Sequence, residues 1–399
     1  MSRIRKKIGL FLSAPPHGGG ALQYSQSILQ AILELPNNHY EIVVACASNT
    51  WHSLIQKYPI KILTLSSNGF LWQCFSSRKF LLLLEVSSHF WRKWCKYFIP
   101  DVRKILNENC DLWIFPAQDT WSYILPVTSL SVIHDLMHRY ERKFPEVSRG
   151  LMFRQREKHY ENVCHYSKGI LVDSKVGKTH VMESYKVSDE LIYVLPYIAP
   201  SYIDNKEEIC SKSYNLPSKF FFYPAQFWKH KNHEQLVRSI GCLRQRIPDI
   251  RMVFAGSPKN AYEEIKMLVF NLGLSDHITF LGYVPDEYMA TIYRRARALI
   301  MPTYFGPTNI PPLEAFASGC PVAISKIYGM PEQVGDAALL FDPSSDTEIA
   351  DVMYRLWTDD ELCHKLSLLG RQRSELWSQH HFNVQFHAIV KAVTSENNQ

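Results

Sequence analysis

Residues 298–325 (Ala-Leu-Ile-Met-Pro-Thr-Tyr-Phe-Gly-Pro-Thr-Asn-Ile-Pro-Pro-Leu-Glu-Ala-Phe-Ala-Ser-Gly-Cys-Pro-Val-Ala-Ile-Ser) constrain the fold more than any other stretch. Residues 298–303 form an apolar run bounded by turn formers, the pattern of a strand buried on both faces of a parallel sheet. Gly306 and Pro307 end it. Pro311 and Pro312 suit the first turn of a helix, where a missing N–H costs nothing, and Asn309 is the expected N-cap. Gly319 stops that helix, Pro321 prevents its continuation, and residues 322–325 open the next strand. In an open α/β sheet such a helix aims its N-terminal N–H groups at the carboxyl ends of the strands, where ligands bind. The backbone donors of Thr308, Asn309 and Ile310 are therefore candidates for holding a phosphate, and Glu314, just beyond, for reaching ribose hydroxyls.

The remaining pattern repeats this logic along the chain. Strands are expected at residues 7–13, 41–48, 60–65, 111–117, 130–134, 169–173 and 191–195. A second set is expected at 220–225, 251–256, 277–284, 298–303, 322–325 and 338–341, with helical patterns between. Strands alternating with helices predict two doubly wound parallel sheets, hence an α/β chain of two Rossmann-like domains. The stretch 197–217 lacks periodicity and reads as the linker. The expected division is 1–196, then the linker 197–217, then 218–378, with a terminal helix in 379–399.

Composition excludes several classes. The chain has 399 residues and a net charge of +6, too mild a basic excess to argue for nucleic acid but compatible with anionic ligands or an anionic membrane face. Nine scattered cysteines with no Cys-x-x-Cys spacing read as thiols in a reducing, cytoplasmic compartment. Residues 1–7 are basic, but a short strand and Gly18-Gly19-Gly20 follow, which is not the pattern of a signal peptide. No apolar run approaches the ~20 residues of a spanning helix. No metal site and no cofactor is expected.

The sequence 314–322, Glu-Ala-Phe-Ala-Ser-Gly-Cys-Pro-Val, resembles the signature of retaining family-4 glycosyltransferases of the GT-B fold, also called group 1. That signature has two glutamates with seven residues between them. Glu314 stands at the second position, and Gly306 stands at the first. The resemblance implies two Rossmann-like domains facing a cleft, and transfer of a sugar from a nucleotide-sugar, which is a substrate and not a cofactor, to a glycan or lipid-linked acceptor. It implies that Gly18, Gly19 and Gly20 approach the donor diphosphate. It implies that Lys231 neutralises that diphosphate, with Gln226 in place of an arginine. It sets Tyr283 beside the nucleotide base, where the ring either stacks or merely packs. His134, in His134-Asp135-Leu136, would end a strand at the cleft, either touching the sugar or serving structure alone; Asp135 reads as a loop-fixing carboxylate. The terminal helix would cross back to the first domain.

The implied catalytic set is thus His134, Lys231 and Glu314. The absence of Asp-x-Asp argues against a metal-bridged diphosphate. An epimerase on the same fold, or a non-catalytic subunit using it for interaction, are the alternatives that Gly306 and Gln226 leave open. Residues 78–98 mix aromatic and basic side chains, as an interfacial helix does, but equally as a helix packed on a sheet with its charges outward.

Overall fold

The computed structural model describes residues 5–15, 19–46, 49–66, 69–83, 88–204 and 214–395. Gly18 and the central part of the expected linker, 205–213, lie outside the described residues. The chain forms two units. The first comprises Met1–Tyr140, Val147–Pro196 and Gln379–Gln399; the second comprises Glu141–Glu146 and Tyr197–Ser378.

The first unit contains β1 (Lys6–Leu12), β2 (Tyr40–Cys46), β3 (Lys61–Thr64), β4 (Leu112–Phe115), β5 (Ser129–Val132), β6 (Gly169–Val172) and β7 (Ile192–Val194). They form one parallel sheet in the order β3-β2-β1-β4-β5-β6-β7. Apolar side chains fill both faces of its central strands, as in Leu112–Phe115, where every residue is buried. The last helix, Gln379–Thr394, packs on the helix Gly20–Leu33 of this unit. Asn383 Nδ2 donates to Glu34 Oε2 (2.6 Å), and His387 Nε2 lies 2.8 Å from the Ala31 carbonyl.

The second unit contains β8 (Phe221–Pro224), β9 (Met252–Ala255), β10 (Ile278–Phe280), β11 (Ala298–Met301), β12 (Val322–Ser325) and β13 (Ala338–Phe341). Its parallel sheet runs β10-β9-β8-β11-β12-β13. β11 pairs with β8 through Ala298 opposite Phe221 and Leu299 opposite Phe222. The strand order reverses there, and open α/β sheets bind ligands in the crevice at the carboxyl ends of such a pair. The core beneath it is dense in aromatic and branched residues, among them Phe220, Phe221, Phe222, Val253 and Ile300, all fully buried.

In the stretch 78–98 the described residues form the helices Arg78–Leu83 and Ser88–Phe98, and residues 84–87 lie outside the described residues. One local expectation is corrected. The helix Pro311–Ser318 takes Ile310 as its N-cap, not Asn309. Asn309 is drawn away by its own side chain, which bonds the preceding loop instead of the helix. Gly319 ends that helix as expected, with φ +72°. Among the described residues no helix is long and apolar enough to cross a membrane.

Candidate functional site

At the carboxyl end of β8 the chain passes Gln226, whose side-chain oxygen accepts the Trp228 indole N–H (2.9 Å). This fixes the amide and leaves its NH2 edge as the donor side. The short turn Lys229–Lys231 follows. It is pinned from three directions. Tyr223 Oη donates to the Lys231 carbonyl (2.9 Å), and the Tyr304 N–H donates to the His230 carbonyl (2.9 Å). Asn232, at φ +60°, donates to the carbonyls of Pro302 (3.0 Å) and Pro343 (2.7 Å). The half-buried Lys231 is therefore held by backbone on both sides, and its Nζ lies 3.5 Å from Asn309 Oδ1.

Glu146 supports the same turn. Its Oε1 accepts the Lys229 N–H (2.6 Å) and Asn260 Nδ2 (3.1 Å), and lies 3.5 Å from His230 Nδ1. Burial pushes this carboxyl up, but the bonds from His230, its own backbone and Asn260 outweigh burial and bring it down to about 2. The His230 ring stacks on Phe305 with 3.8 Å between centroids. No local pattern in the sequence marks this role of Glu146, since Lys229 lies 83 positions away.

The loop after β11 closes over this turn. Gly306 has φ +90°, and a Cβ built there would sit 2.6 Å from the Thr308 carbonyl and 3.0 Å from Asn309 Nδ2. Asn309 Nδ2 donates back to the Phe305 carbonyl (3.1 Å). The Asn309 N–H, expected as a phosphate donor, instead donates to Gln333 Oε1 (3.1 Å), and Gln333 Nε2 donates to the Asn309 carbonyl (2.5 Å). Thr308 and Asn309 are both buried. Ile310 caps the helix, its carbonyl accepting the N–H groups of Leu313 (2.8 Å) and Glu314 (3.2 Å).

Glu314, in the first turn of that helix, is only 5% exposed. Its two oxygens accept different hydroxyls: Oε1 from Tyr202, Oε2 from Tyr293 at 2.6 Å. Burial raises its pKa against the lowering effect of those two bonds. Tyr283 is 52% exposed and lies near Tyr202, which it and Asp286 influence electrostatically. The second unit thus gathers Gln226, Lys231, Thr308, Asn309, Ile310 and Glu314 around the ends of β8 and β11. The two tyrosines on Glu314 were missed: Tyr202 falls in the stretch read as linker and Tyr293 on a helix, and neither carries a local signal for a partner 112 or 21 positions away.

In the first unit, His134 follows β5 and meets Tyr24 edge-on, centroids 5.2 Å apart. Burial holds its pKa down at about 4, against Asp135 and a bond to the Pro116 backbone, so the ring is neutral at pH 7. Asp135 fixes its loop, accepting the Met137 N–H (3.0 Å) and pairing with Arg156 (2.5 Å). Gly19 precedes the helix Gly20–Leu33 as its N-cap, with no side chain to satisfy the first turn. At the strand-order reversal between β1 and β4, Ser13 Oγ donates to Asp119 Oδ2 (2.8 Å), and burial raises the Asp119 carboxyl to about 6. Asp119 carries no sequence motif and was not anticipated.

Two open parallel sheets, each reversing its strand order between central strands, give the chain the GT-B fold. It is similar over nearly its whole length to Anabaena HepE solved in complex with UDP-glucose: TM-score 0.70, 16% identity, 97% of this chain and 99% of that one. Residues 204–373 match the family Glycosyl transferases group 1. Among curated relatives, mannosylfructose-phosphate synthase of Agrobacterium fabrum is 23% identical over 239 residues, 56% of this chain and 52% of that protein. O-antigen chain mannosyltransferase B of Escherichia coli is 39% identical over 83 residues, 21% of this chain and 22% of that protein. The chain spans about half the length of the first relative and about a fifth of the second.

Proposed function

We propose that the chain transfers a sugar from a nucleotide-sugar donor to a glycan or lipid-linked acceptor, in the synthesis of a polysaccharide or lipopolysaccharide. The observation that carries this reading is the backbone-pinned Lys231, 3.5 Å from Asn309 on the loop that leads into the Glu314 helix. A departing nucleoside diphosphate develops negative charge, and preorganised cations and dipoles stabilise it without reorganising. Lys231 supplies the charge, the Gln226 amide a neutral donor, the Pro311–Ser318 helix its N-terminal dipole, and Glu314 accepts from ribose. The resemblance further implies that Gly19 and Gly20 approach the diphosphate and that neutral His134 accepts from or donates to a sugar hydroxyl.

The reaction proceeds with retention and without a bridging metal. Retention is supported by the signature at 314–322, metal independence by the absence of Asp-x-Asp. Gly306 leaves no carboxylate at the first position of that signature, so the acceptor attacks from the face the leaving group departs, through an oxocarbenium-like state.

The chain works at the inner face of a membrane, through the helix Ser88–Phe98. Phe90, Trp94, Tyr97 and Phe98 are exposed at helical spacing along one stripe, with Lys93 and Lys96 against the rings of Trp94 and Tyr97. Arg92 is not part of it: its guanidinium donates inward to the carbonyls of Tyr123 (3.0 Å) and Leu125 (2.6 Å).

The test is hydrolysis of UDP-, GDP-, ADP- and dTDP-sugars by the full chain. Release of free sugar in the anomeric configuration of one donor supports the reading. Conversion to an epimeric nucleotide-sugar, or binding of no nucleotide, replaces it with the epimerase or the non-catalytic subunit.

A further inference from the structure

The Glu314 carboxylate has two partners of unlike kind. Tyr293 is fully buried and belongs to the helix Asp286–Arg295, packed in the core. Tyr202 is half-buried and sits on the single turn Ser201–Asp204, near the start of the segment Tyr197–Ser378 of the second unit. Within that turn Ile203 is the buried anchor, and the turn rests on the helices carrying Tyr293 and Glu314. One partner is therefore fixed by the core and the other by a short surface turn.

We propose that Tyr202 is a displaceable partner of Glu314 that sets donor affinity: the donor ribose takes the carboxylate oxygen that the Tyr202 hydroxyl engages in the structure. Tyr293 is the positioning residue that keeps Oε2 in place during the exchange. The inference rests on the reading of Glu314 as the ribose acceptor. A ribose has two vicinal hydroxyls, both donors, and a carboxylate is an acceptor only. Each carboxylate oxygen has a second lone pair, but Glu314 is 5% exposed with a tyrosine set against each oxygen, so the diol reaches it only when one tyrosine yields. The one on the surface turn yields at lower cost. Tyr202 thereby acts as an internal competitor, and binding of nucleotide moves the 201–204 turn. Tyr283 and Asp286, which bear electrostatically on the Tyr202 hydroxyl, mark the same side of the site.

Calorimetric titration of the full chain with UDP, GDP and ADP tests this, using whichever the wild type binds most tightly. Removing the competitor costs the free protein a charged hydrogen bond and the bound protein none. Tyr202→Phe should therefore bind about tenfold more tightly. Tyr293→Phe should bind more weakly, and Tyr202→Phe with Glu314→Gln no more tightly than Glu314→Gln alone. KM for the donor should fall in step with Kd in Tyr202→Phe. If Glu314→Gln weakens binding while Tyr202→Phe equals or trails the wild type, Tyr202 is no competitor and the ribose reading stands. If Glu314→Gln binds all three nucleotides as the wild type does, the ribose reading fails and the inference with it.

Discussion

Replacing Gly306 with glutamate would restore the carboxylate of the group 1 signature, yet the expected result is a weaker protein and not a faster one. Gly306 sits at φ +90°, and the first atom of any side chain would lie 2.6 Å from the Thr308 carbonyl oxygen. Holding an L-residue in the left-handed region costs roughly 1–2 kcal/mol. Relieving the contact shifts residues 308 and 309 and breaks the 3.1 Å bond from Asn309 to Phe305, about 1 kcal/mol more. The sum, about 2–3 kcal/mol, corresponds to a fall of roughly 4–12 °C in Tm for a unit of this size. Gly306→Ala should show nearly all of it, because the cost lies in the backbone and the Cβ. Differential scanning calorimetry measures the melting, and titration with nucleoside diphosphate measures the site, which should weaken because Asn309 stands beside Lys231. A Gly306→Ala chain melting within about 1 °C of the wild type would refute the strain argument. A Gly306→Glu chain with higher turnover would refute the claim that this loop is built around glycine.

Lys231→Ala should lower turnover by ~100-fold or more while leaving Tm nearly unchanged, the scale for losing one charge stabiliser; wild-type kinetics with the true donor would remove it from the site. Glu146→Gln should destabilise the second unit at pH 7 by up to about 3 kcal/mol, given a folded pKa of about 2 against an ordinary 4.5. Because the folded pKa is depressed, that contribution is complete above about pH 4.5 and is lost as pH falls toward 2, so the Tm gap between variant and wild type should close over that window. Lys93→Gln with Lys96→Gln should reduce co-sedimentation with anionic vesicles at low salt without lowering Tm, whereas Arg92→Gln should lower Tm; unchanged vesicle binding in the double variant would make the aromatic stripe a protein surface.

Among the described residues, the central strands were legible in the sequence, because a strand buried on both faces must be a near-continuous apolar run and turn residues must bound it, whereas the edge strand β3, with no buried residue, showed only its short alternation. Gly319 as a helix stop was legible for a similar reason: φ +72° at a C-cap has few other occupants. What stayed hidden depends on partners far along the chain. Asn309 had the chemistry of an N-cap, but its amide found the Phe305 carbonyl and its N–H found Gln333. Arg92 had the look of a surface charge, but three backbone carbonyls in the segment 123–127 receive it. Tyr202 reaches Glu314 across 112 positions, and no local pattern encodes such a meeting.

The helix Gln379–Thr394 belongs to the unit that begins the chain, while everything from Tyr197 to Ser378 belongs to the other. The second unit can therefore complete its core without this helix, and the first cannot. Without residues 379–394, the faces of the first unit that receive Phe382, Phe386 and Val390 stand open to water. A chain truncated after Ser378 would carry one finished fold and one with an exposed apolar seam. Pulse proteolysis of that truncated chain should cut the first unit and spare the second.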